Sequence, residues 1–439
     1  MYNSIWLDGL DVNNFPALDG DKKCHTLVIG GGIAGILTAY FLKKAGVDTI
    51  LVEGNKIGMG ITRNTTAQIS AQYENTYIDI MESSLDKAKL FLNSNLWAVE
   101  KYRELSKLFP CDFEDKDSFV YSVNDLALIE KEAEAATKLG YRTESVKSLP
   151  LPMKIAGAYK FPNQAQFNPL KFISEISKEL TIYENTFVKE IRKNVALTNS
   201  GNITAEKIII ASHFPFINRS GFYFVKMYQQ RSYVIAIENA PDLNGIYVED
   251  IKYGKYFRNY KNYLLIGGGD HRTGKCGGNF EEIRKFAKQY YPDSEEKYFW
   301  ANQDCITLDG MPYIGQYSKC LPNVYVTTGF NESGMTSAMV GARVLTEMIT
   351  EKPSEYAEIY APCRPVINKQ LFVNLGETLK NLFTFTDKRC SHLGCALKWN
   401  KVEHTWDCSC HGSRFDKDGI LIDNPAMKDA DILNSDYDV

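Results

Sequence analysis

The stretch HTLVIGGGIAGILTAYFLKKAG (residues 25–46), continued by DTILVE (residues 48–53), decides the reading of this chain. A short apolar run passes through three glycines into a helical pattern, and a second apolar run ends on Glu53. That order predicts strand, tight turn, helix and strand, the unit that opens a doubly wound parallel sheet. Gly30, Gly32 and Gly35 occupy the glycine positions of G-x-G-x-x-G. The first permits the tight turn, the second the close approach of a pyrophosphate, the third the packing of helix on strand. Backbone N–H groups over Gly32, Ile33 and Ala34, with the positive end of the helix dipole, then face the phosphates. Glu53 stands 18 residues beyond Gly35, where a carboxylate accepts hydrogen bonds from ribose hydroxyls and disfavours a 2′-phosphate.

Working outward, 439 residues that are 44% hydrophobic suffice for two or three domains with cores of their own. Fifty basic against 54 acidic residues leave a charge of −4, without the basic footprint that nucleic acid requires. The longest mostly apolar run, Thr26 to Leu42, is 17 residues with four glycines, so no transmembrane segment is expected. The opening MYNSIWLDGLDVNN has no basic region followed by an apolar core, which makes the expected location cytoplasmic. Ile78 to Leu139 reads as charged helices, and TIYENTFVKEI and EKIIIASH as strands. Alternating Tyr/Val/Ile segments from Tyr223 to Gly269 read as an antiparallel sheet, NVYVTTGF as a buried strand, and Ser333 to Ile349 as a helix. Pro353, Pro362 and Pro365 mark a linker before a Cys/His-rich tail. Gly267–Gly269 reads as a turn, and Gly269–Lys275 mimics a phosphate loop but has Cys276 where a metal-binding hydroxyl belongs.

The fingerprint alone leaves FAD and NAD open. Gly58-Met59-Gly60-Ile61-Thr62-Arg63-Asn64 follows the acid, Phe187-Val188 comes later, and Asp309–Gly315 and Thr328–Met335 close the series. In this order the chain resembles the FAD-dependent D-amino-acid oxidase/glycine oxidase-like family over residues 20–355. The resemblance implies an α/β fold: an FAD-binding Rossmann-like domain of the glutathione-reductase type with an inserted antiparallel-sheet substrate domain. It implies that Gly60, Thr62, Arg63 and Asn64 run beside the flavin and that Val188 meets the adenine. Gly329, Ser333, Gly334 and Met335 would bring a second helix N-terminus to the electron-rich edge of the ring, where it stabilises negative charge. Ala338, Gly341 and Ala342 would let that helix pack closely. No second G-x-G-x-x-G is present for a separate NAD(P)H domain.

Cys390-Ser-His392-Leu-Gly-Cys395 and Cys408-Ser-Cys410-His411-Gly-Ser413 give C-x-H and C-x-x-H with fifteen residues between. Such a quartet suits a [2Fe–2S] cluster held by two thiolates and two imidazoles, or zinc, for which C-x-H is tight. The pattern resembles the Rieske proteins. That resemblance makes Cys390, His392, Cys408 and His411 the metal ligands, and Cys395 and Cys410 a disulfide clamping the loops. Ser413 would donate to a cluster sulfur; Phe415 stands where high-potential members carry Tyr. The potential is therefore expected below the top of a range of roughly −150 to +300 mV. His404 matches no ligand position.

The expected FAD domain comprises 20–80, 150–220 and 305–360, and the substrate domain 81–149 and 221–304. A linker helix spans 361–380 and a small all-β Rieske subdomain 381–439, too small to stand alone and expected to lean on the flavin domain or a partner. Together the sites imply a flavoenzyme that dehydrogenates a small amine or amino acid and passes electrons singly through the cluster to an external acceptor such as a ferredoxin or quinone. Reversed flow, an oxygen-using amine oxidase with a structural cluster, and a redox-responsive binding protein are the alternatives. Arg231 is the candidate to pair a substrate carboxylate, with Tyr313 or Tyr233 walling the pocket; His213 is read as structural, and Cys305 as no flavin tether.

Overall fold

The computed structural model describes residues 4–10, 13–72, 76–218, 220–251, 253–366 and 368–432. Residues 433–439, the end of the expected Rieske span, lie outside them. Lys22–Ile29 and Thr49–Val52 are parallel strands joined by the helix Ile33–Lys44, as the opening stretch requires. Asn202–Ile210 pairs parallel to the other side of Lys22–Ile29, and Leu321–Thr328 parallel to Asn202–Ile210. These strands are continuous apolar runs because helices cover the sheet: Leu27, Val28, Leu51 and Ile209 are fully buried. The helix Gly334–Ile349 packs against Ile33–Lys44 and over the sheet, with Gly341 close on Thr327 Oγ1, leaving no room for a Cβ.

A second sheet runs from Glu295–Thr307 through Met227–Glu238, Tyr263–Arg272, Tyr256–Tyr260 and Ile246–Glu249 to Glu114–Ser122 and Gly157–Gln166. Most neighbours are antiparallel, but Ile246–Glu249 and Glu114–Ser122 pair parallel. Glu114–Ser122 lies between two helices in a stretch whose polarity reads as helical. Gly267–Gly269 is not a turn. It is the middle of the strand Tyr263–Arg272, where a Cβ on Gly267 would overlap the Tyr256 ring.

The third sheet is Leu397–Asn400, Thr405–Cys408, Arg414–Phe415 and Leu421–Asp423, reached through the helix Lys369–Phe383. This small lobe leans on the second sheet and on the loop after Asn202–Ile210. Gly274 permits the contact: at φ +72, its Cβ would stand 2.7 Å from the Ser409 nitrogen. Arg272 donates to the Ser409 and Cys410 carbonyls at 3.0 Å each.

Candidate functional sites: a cavity and a cysteine–histidine cradle

All three lobes border one cavity of about 1970 Å³. Small-molecule sites are roughly 300–1,000 Å³, so this volume takes a dinucleotide and a substrate together. One end is the glycine turn. Gly30 adopts φ +113 against Ala211, and a Cβ on Gly35 would overlap the Gly30 carbonyl oxygen. Gly60 and Gly334 have nothing within 4 Å of a Cβ position, so backbone lies bare to the cavity at both segments. Gly32, Ile33, Ala34, Glu53, Gly60, Thr62, Arg63, Asn64 and Val188 line this space, as do Gly329, Ser333, Gly334 and Met335; Gly35 packs behind it. Thr62 Oγ1 accepts from the Ile33 nitrogen at 3.0 Å, tying the second glycine-rich segment to the helix start. Glu53 accepts from the Gly31 and Asn55 nitrogens at 2.7 and 2.9 Å. Burial raises its carboxyl above the ordinary range, against the pull of those bonds. A bare glycine cradle at a helix N-terminus with an acid beside it fits the dinucleotide the motifs imply.

Of the three expected substrate contacts Arg231 alone lines the cavity, and its guanidinium is already taken up. Arg231 is buried and its guanidinium is occupied: Nε donates to Glu403 Oε1 at 3.0 Å and Nη2 to Oε2. It joins the second sheet to the small lobe because a buried guanidinium demands a carboxylate, and Glu403 supplies it. Tyr313 is fully buried among Phe214, Tyr223 and Tyr317 with Arg364 stacked 4.2 Å from its ring, outside the cavity lining. Tyr233 donates to Glu403 at 3.0 Å and likewise does not line the cavity. Sequence reasoning passed over Asp304, Glu332 and Asn302, which do line it. The available signal was an acid inside a strand (NQDC) directly ahead of the LDGMPYIG segment.

In the small lobe the two Cys/His loops face each other. The Nδ1 atoms of His392 and His411 are 3.3 Å apart. The His392 Nε2–H donates to Asn218 Oδ1 at 2.8 Å, which leaves Nδ1 as the unprotonated, ligating nitrogen. His411 Nε2 is buried with no hydrogen-bond partner among the described residues. Burial, reinforced by the neighbouring imidazole, lowers His392 to about 3; burial lowers His411 to about 4. Both are thus neutral, the form a metal needs. The Cys408 thiol is held well below its ordinary range by hydrogen bonds from Cys390, Cys395 and Cys410. Two converging imidazoles beside two cysteines fit a [2Fe–2S] cluster on Cys390, His392, Cys408 and His411. Ser413 hydrogen-bonds Cys390, and its Oγ accepts from the Ala426 nitrogen at 3.0 Å. The two cysteines of the implied disulfide, Cys395 and Cys410, face each other across the loops. Their sulfurs are gathered with that of Cys408 within 4.8 Å. His404 is exposed.

Cavity and cradle share a wall. Ser212 and His213 line the cavity, and His213 Nε2 lies 3.2 Å from Gln229 Oε1. Gln229 Nε2 donates to the carbonyls of His411 and Asn424 at 2.8 and 2.9 Å. Asn424 in turn donates to the carbonyls of Ser212 and Phe214 at 2.6 and 2.7 Å. Cys305 Sγ sits 3.3 Å from His213 Nε2, and burial lowers that imidazole to about 4.

Comparison with known proteins agrees with this geometry. The FAD dependent oxidoreductase (DAO) family model matches residues 25–348, and the Rieske [2Fe-2S] domain model residues 362–434, which selects the iron–sulfur reading of the quartet over zinc. YhfW of Bacillus subtilis (strain 168), named as a Rieske 2Fe-2S iron-sulfur protein, is 32% identical over 97% of this chain and 96% of its own. Gamma-glutamylputrescine oxidoreductase of Escherichia coli (strain K12) is 25% identical over 76% of this chain and 85% of that protein. Glycine oxidase from Geobacillus kaustophilus shares the fold, with a TM-score of 0.66 at 18% identity over 79% of this chain and 100% of that one.

Proposed function

This chain belongs to the FAD dependent oxidoreductase family and carries a Rieske [2Fe-2S] domain, and on that footing we propose that it dehydrogenates a small amine or amino acid and delivers the electrons singly to an external acceptor. FAD, when bound, supplies two-electron oxidation of a C–N bond, and the cluster one-electron transfer. The chain's own residues supply orientation and the walls of the site. Gly30 and Gly32 would seat the pyrophosphate with Gly35 packed behind them, and the helix Gly334–Ile349 would point its N-terminus at the flavin ring. Glu403, Asp423 and Asn424 of the small lobe form part of the cavity wall.

The observation that carries this reading is the shared wall. The same short segment, Ser212–Phe214, borders the cavity on one side and is tied through Gln229 and Asn424 to the ligand loop of His411. An oxidase with a merely structural cluster has no need of that continuity. The class of acceptor is a one-electron carrier such as a ferredoxin or a quinone. A cytoplasmic setting goes with the reading, since Cys276, Cys320 and Cys363 are exposed free thiols, a state suited to a reducing compartment. No helix among the described residues is long and apolar enough to cross a membrane.

The test is an anaerobic titration of the holoprotein with a panel of amines and amino acids, followed by absorbance and EPR. Flavin bleaching followed by the reduced-cluster signal is the expected sequence. Stoichiometric peroxide in air with an EPR-silent cluster would overturn it in favour of an oxidase.

A further inference from the structure

The helix Lys369–Phe383, which leads into the small lobe, turns its polar side inward and its apolar side out. Its buried residues are Asn374 and Asn381, with Glu377 on the same side. Asn374 accepts from Arg272 Nη1 at 2.9 Å and donates to the Val225 carbonyl at 3.2 Å, and Glu377 accepts from Lys275 at 2.7 Å. The Asn381 carbonyl accepts from the Ala396 nitrogen at 3.0 Å. Polar groups thus fix the helix to the second sheet and the small lobe. Phe372, Leu375, Leu379, Leu382 and Phe383 recur at three- and four-residue spacing on the opposite face. All five are exposed, Phe372 at 66%, Leu379 at 55% and Phe383 at 84%, and Phe385 just past the helix is fully so. A surface helix ordinarily turns such a stripe to the core; one turned to water marks an interaction site.

Charge selects what covers it. Lys369 and Lys380, about three turns apart, run along one margin of the stripe, and both are exposed. No acid of the helix shares this face: Glu377 is turned inward to Lys275, and Asp387, beyond the helix, is paired with Lys388 at 3.8 Å. Lys398, exposed on the strand Leu397–Asn400, adds to the positive charge. Burial first, then the charges of Lys275 and Lys380, lowers its ammonium, and neighbouring anions would relieve that repulsion. The whole chain carries −4, so the positive charge is local to this face. Phenylalanine and leucine with lysines at the margin compose a helix that lies in the plane of a bilayer surface, its apolar side at the acyl boundary and its ammonium groups among head groups. We propose that the helix Lys369–Phe383, with Phe385, docks on an anionic lipid surface and seats the small lobe there. At 15 residues it lies on a bilayer rather than across it. Arg389 makes the seat rigid. It donates to the carbonyls of Leu382 and Thr384 at the helix end, at 3.0 and 2.6 Å, and to that of Gly394 in the first Cys/His loop at 3.1 Å. Docking therefore holds that loop at a set distance from the lipid, whatever the cavity oxidises.

The test is flotation of the full-length holoprotein with vesicles of phosphatidylcholine alone and of phosphatidylcholine mixed equally with phosphatidylglycerol, beside sedimentation velocity without lipid. The protein should bind the anionic vesicles about tenfold or more tightly than the neutral ones, and less tightly as salt rises. Leu379→Ser with Phe383→Ser should lower that binding about tenfold or more. Lys369→Gln with Lys380→Gln should remove about the same factor on anionic vesicles only. Flavin and cluster spectra verify that both double variants fold. Flotation with neither vesicle overturns the assignment, as does flotation that both double variants leave intact. Equal binding to the two vesicles overturns its anionic part. A lipid-free dimer that Leu379→Ser with Phe383→Ser dissociates, in a protein that does not float, gives the face to a second copy instead.

Discussion

Gly35 carries the strictest steric demand in the nucleotide cradle, because any Cβ there overlaps the Gly30 carbonyl oxygen. Gly35→Ala is expected to cost about 1–3 kcal/mol of stability through overpacking and to empty the flavin site. Purified variant should show the cluster EPR signal with little bound flavin, and full flavin occupancy would contradict the packing argument. Asn218 makes the comparable demand at the other centre. It accepts the His392 Nε2–H, which fixes the tautomer and raises the basicity of the ligating nitrogen. Asn218→Ala should weaken cluster retention by about 10–100-fold and raise the cluster potential, with flavin content unchanged. Iron and labile-sulfide content with a redox titration measures both effects, and an unaltered potential would mean that Asn218 does not position the ligand. Gly35 is legible in the sequence because a fixed spacing between strand and helix states its role. Asn218 is not, since it lies in an irregular loop 174 residues from the histidine it serves.

Among the elements, those with one unambiguous period were readable. The strands Lys22–Ile29 and Thr49–Val52 and the helix between them follow directly from apolar runs broken by glycine. The strand Glu114–Ser122 was hidden because its first half is charged and only Ser118 and the Val120–Ser122 end are buried. The strand Gly157–Gln166 carries Pro162 and Asn163, residue types disfavoured inside strands, yet it pairs along Glu114–Ser122. The glycines of Tyr263–Arg272 read as a turn because nothing local reports the Tyr256 ring that fills the space. Its continuation, Gly274, looks like part of a phosphate loop but is the seat of the small lobe on the second sheet. Gly274→Ala should press on the Ser409 backbone and destabilise that contact by about 1–3 kcal/mol while leaving the flavin cradle in place. Rapid-mixing absorbance is expected to show unaltered flavin reduction by substrate and slower appearance of reduced cluster. Equal rates for both steps would separate electron transfer from the seating of this loop.

For the molecule as a whole, two redox centres of different size work together only if their lobes are held in register, and a buried ionic knot does this. Glu403 of the small lobe takes Arg231 from the second sheet at 3.0 Å and Arg414 from its own sheet at 2.8 Å, with Tyr233 donating at 3.0 Å. Burial alone would raise the Glu403 carboxyl, but the two guanidinium groups outweigh it and hold the carboxyl at about 2, against an ordinary 4.5. A depressed carboxyl stabilises the folded state above the pKa it has when unfolded. The contribution is whole above about pH 4.5 and is lost as pH falls toward 2, because the unfolded chain takes up a proton that the native one refuses. Its size is about 3 kcal/mol. Glu403→Gln removes the charge and leaves Arg231 buried without a carboxylate, at a cost of about 3–5 kcal/mol at neutral pH. Urea midpoints at pH 6 should therefore fall sharply in the variant, and the gap between variant and parent should narrow at pH 3, where the parent is losing the same contribution. A gap that stays constant with pH would assign the knot to packing alone, and the small lobe would then be held by its neutral contacts through Gln229, Asn424 and Arg272.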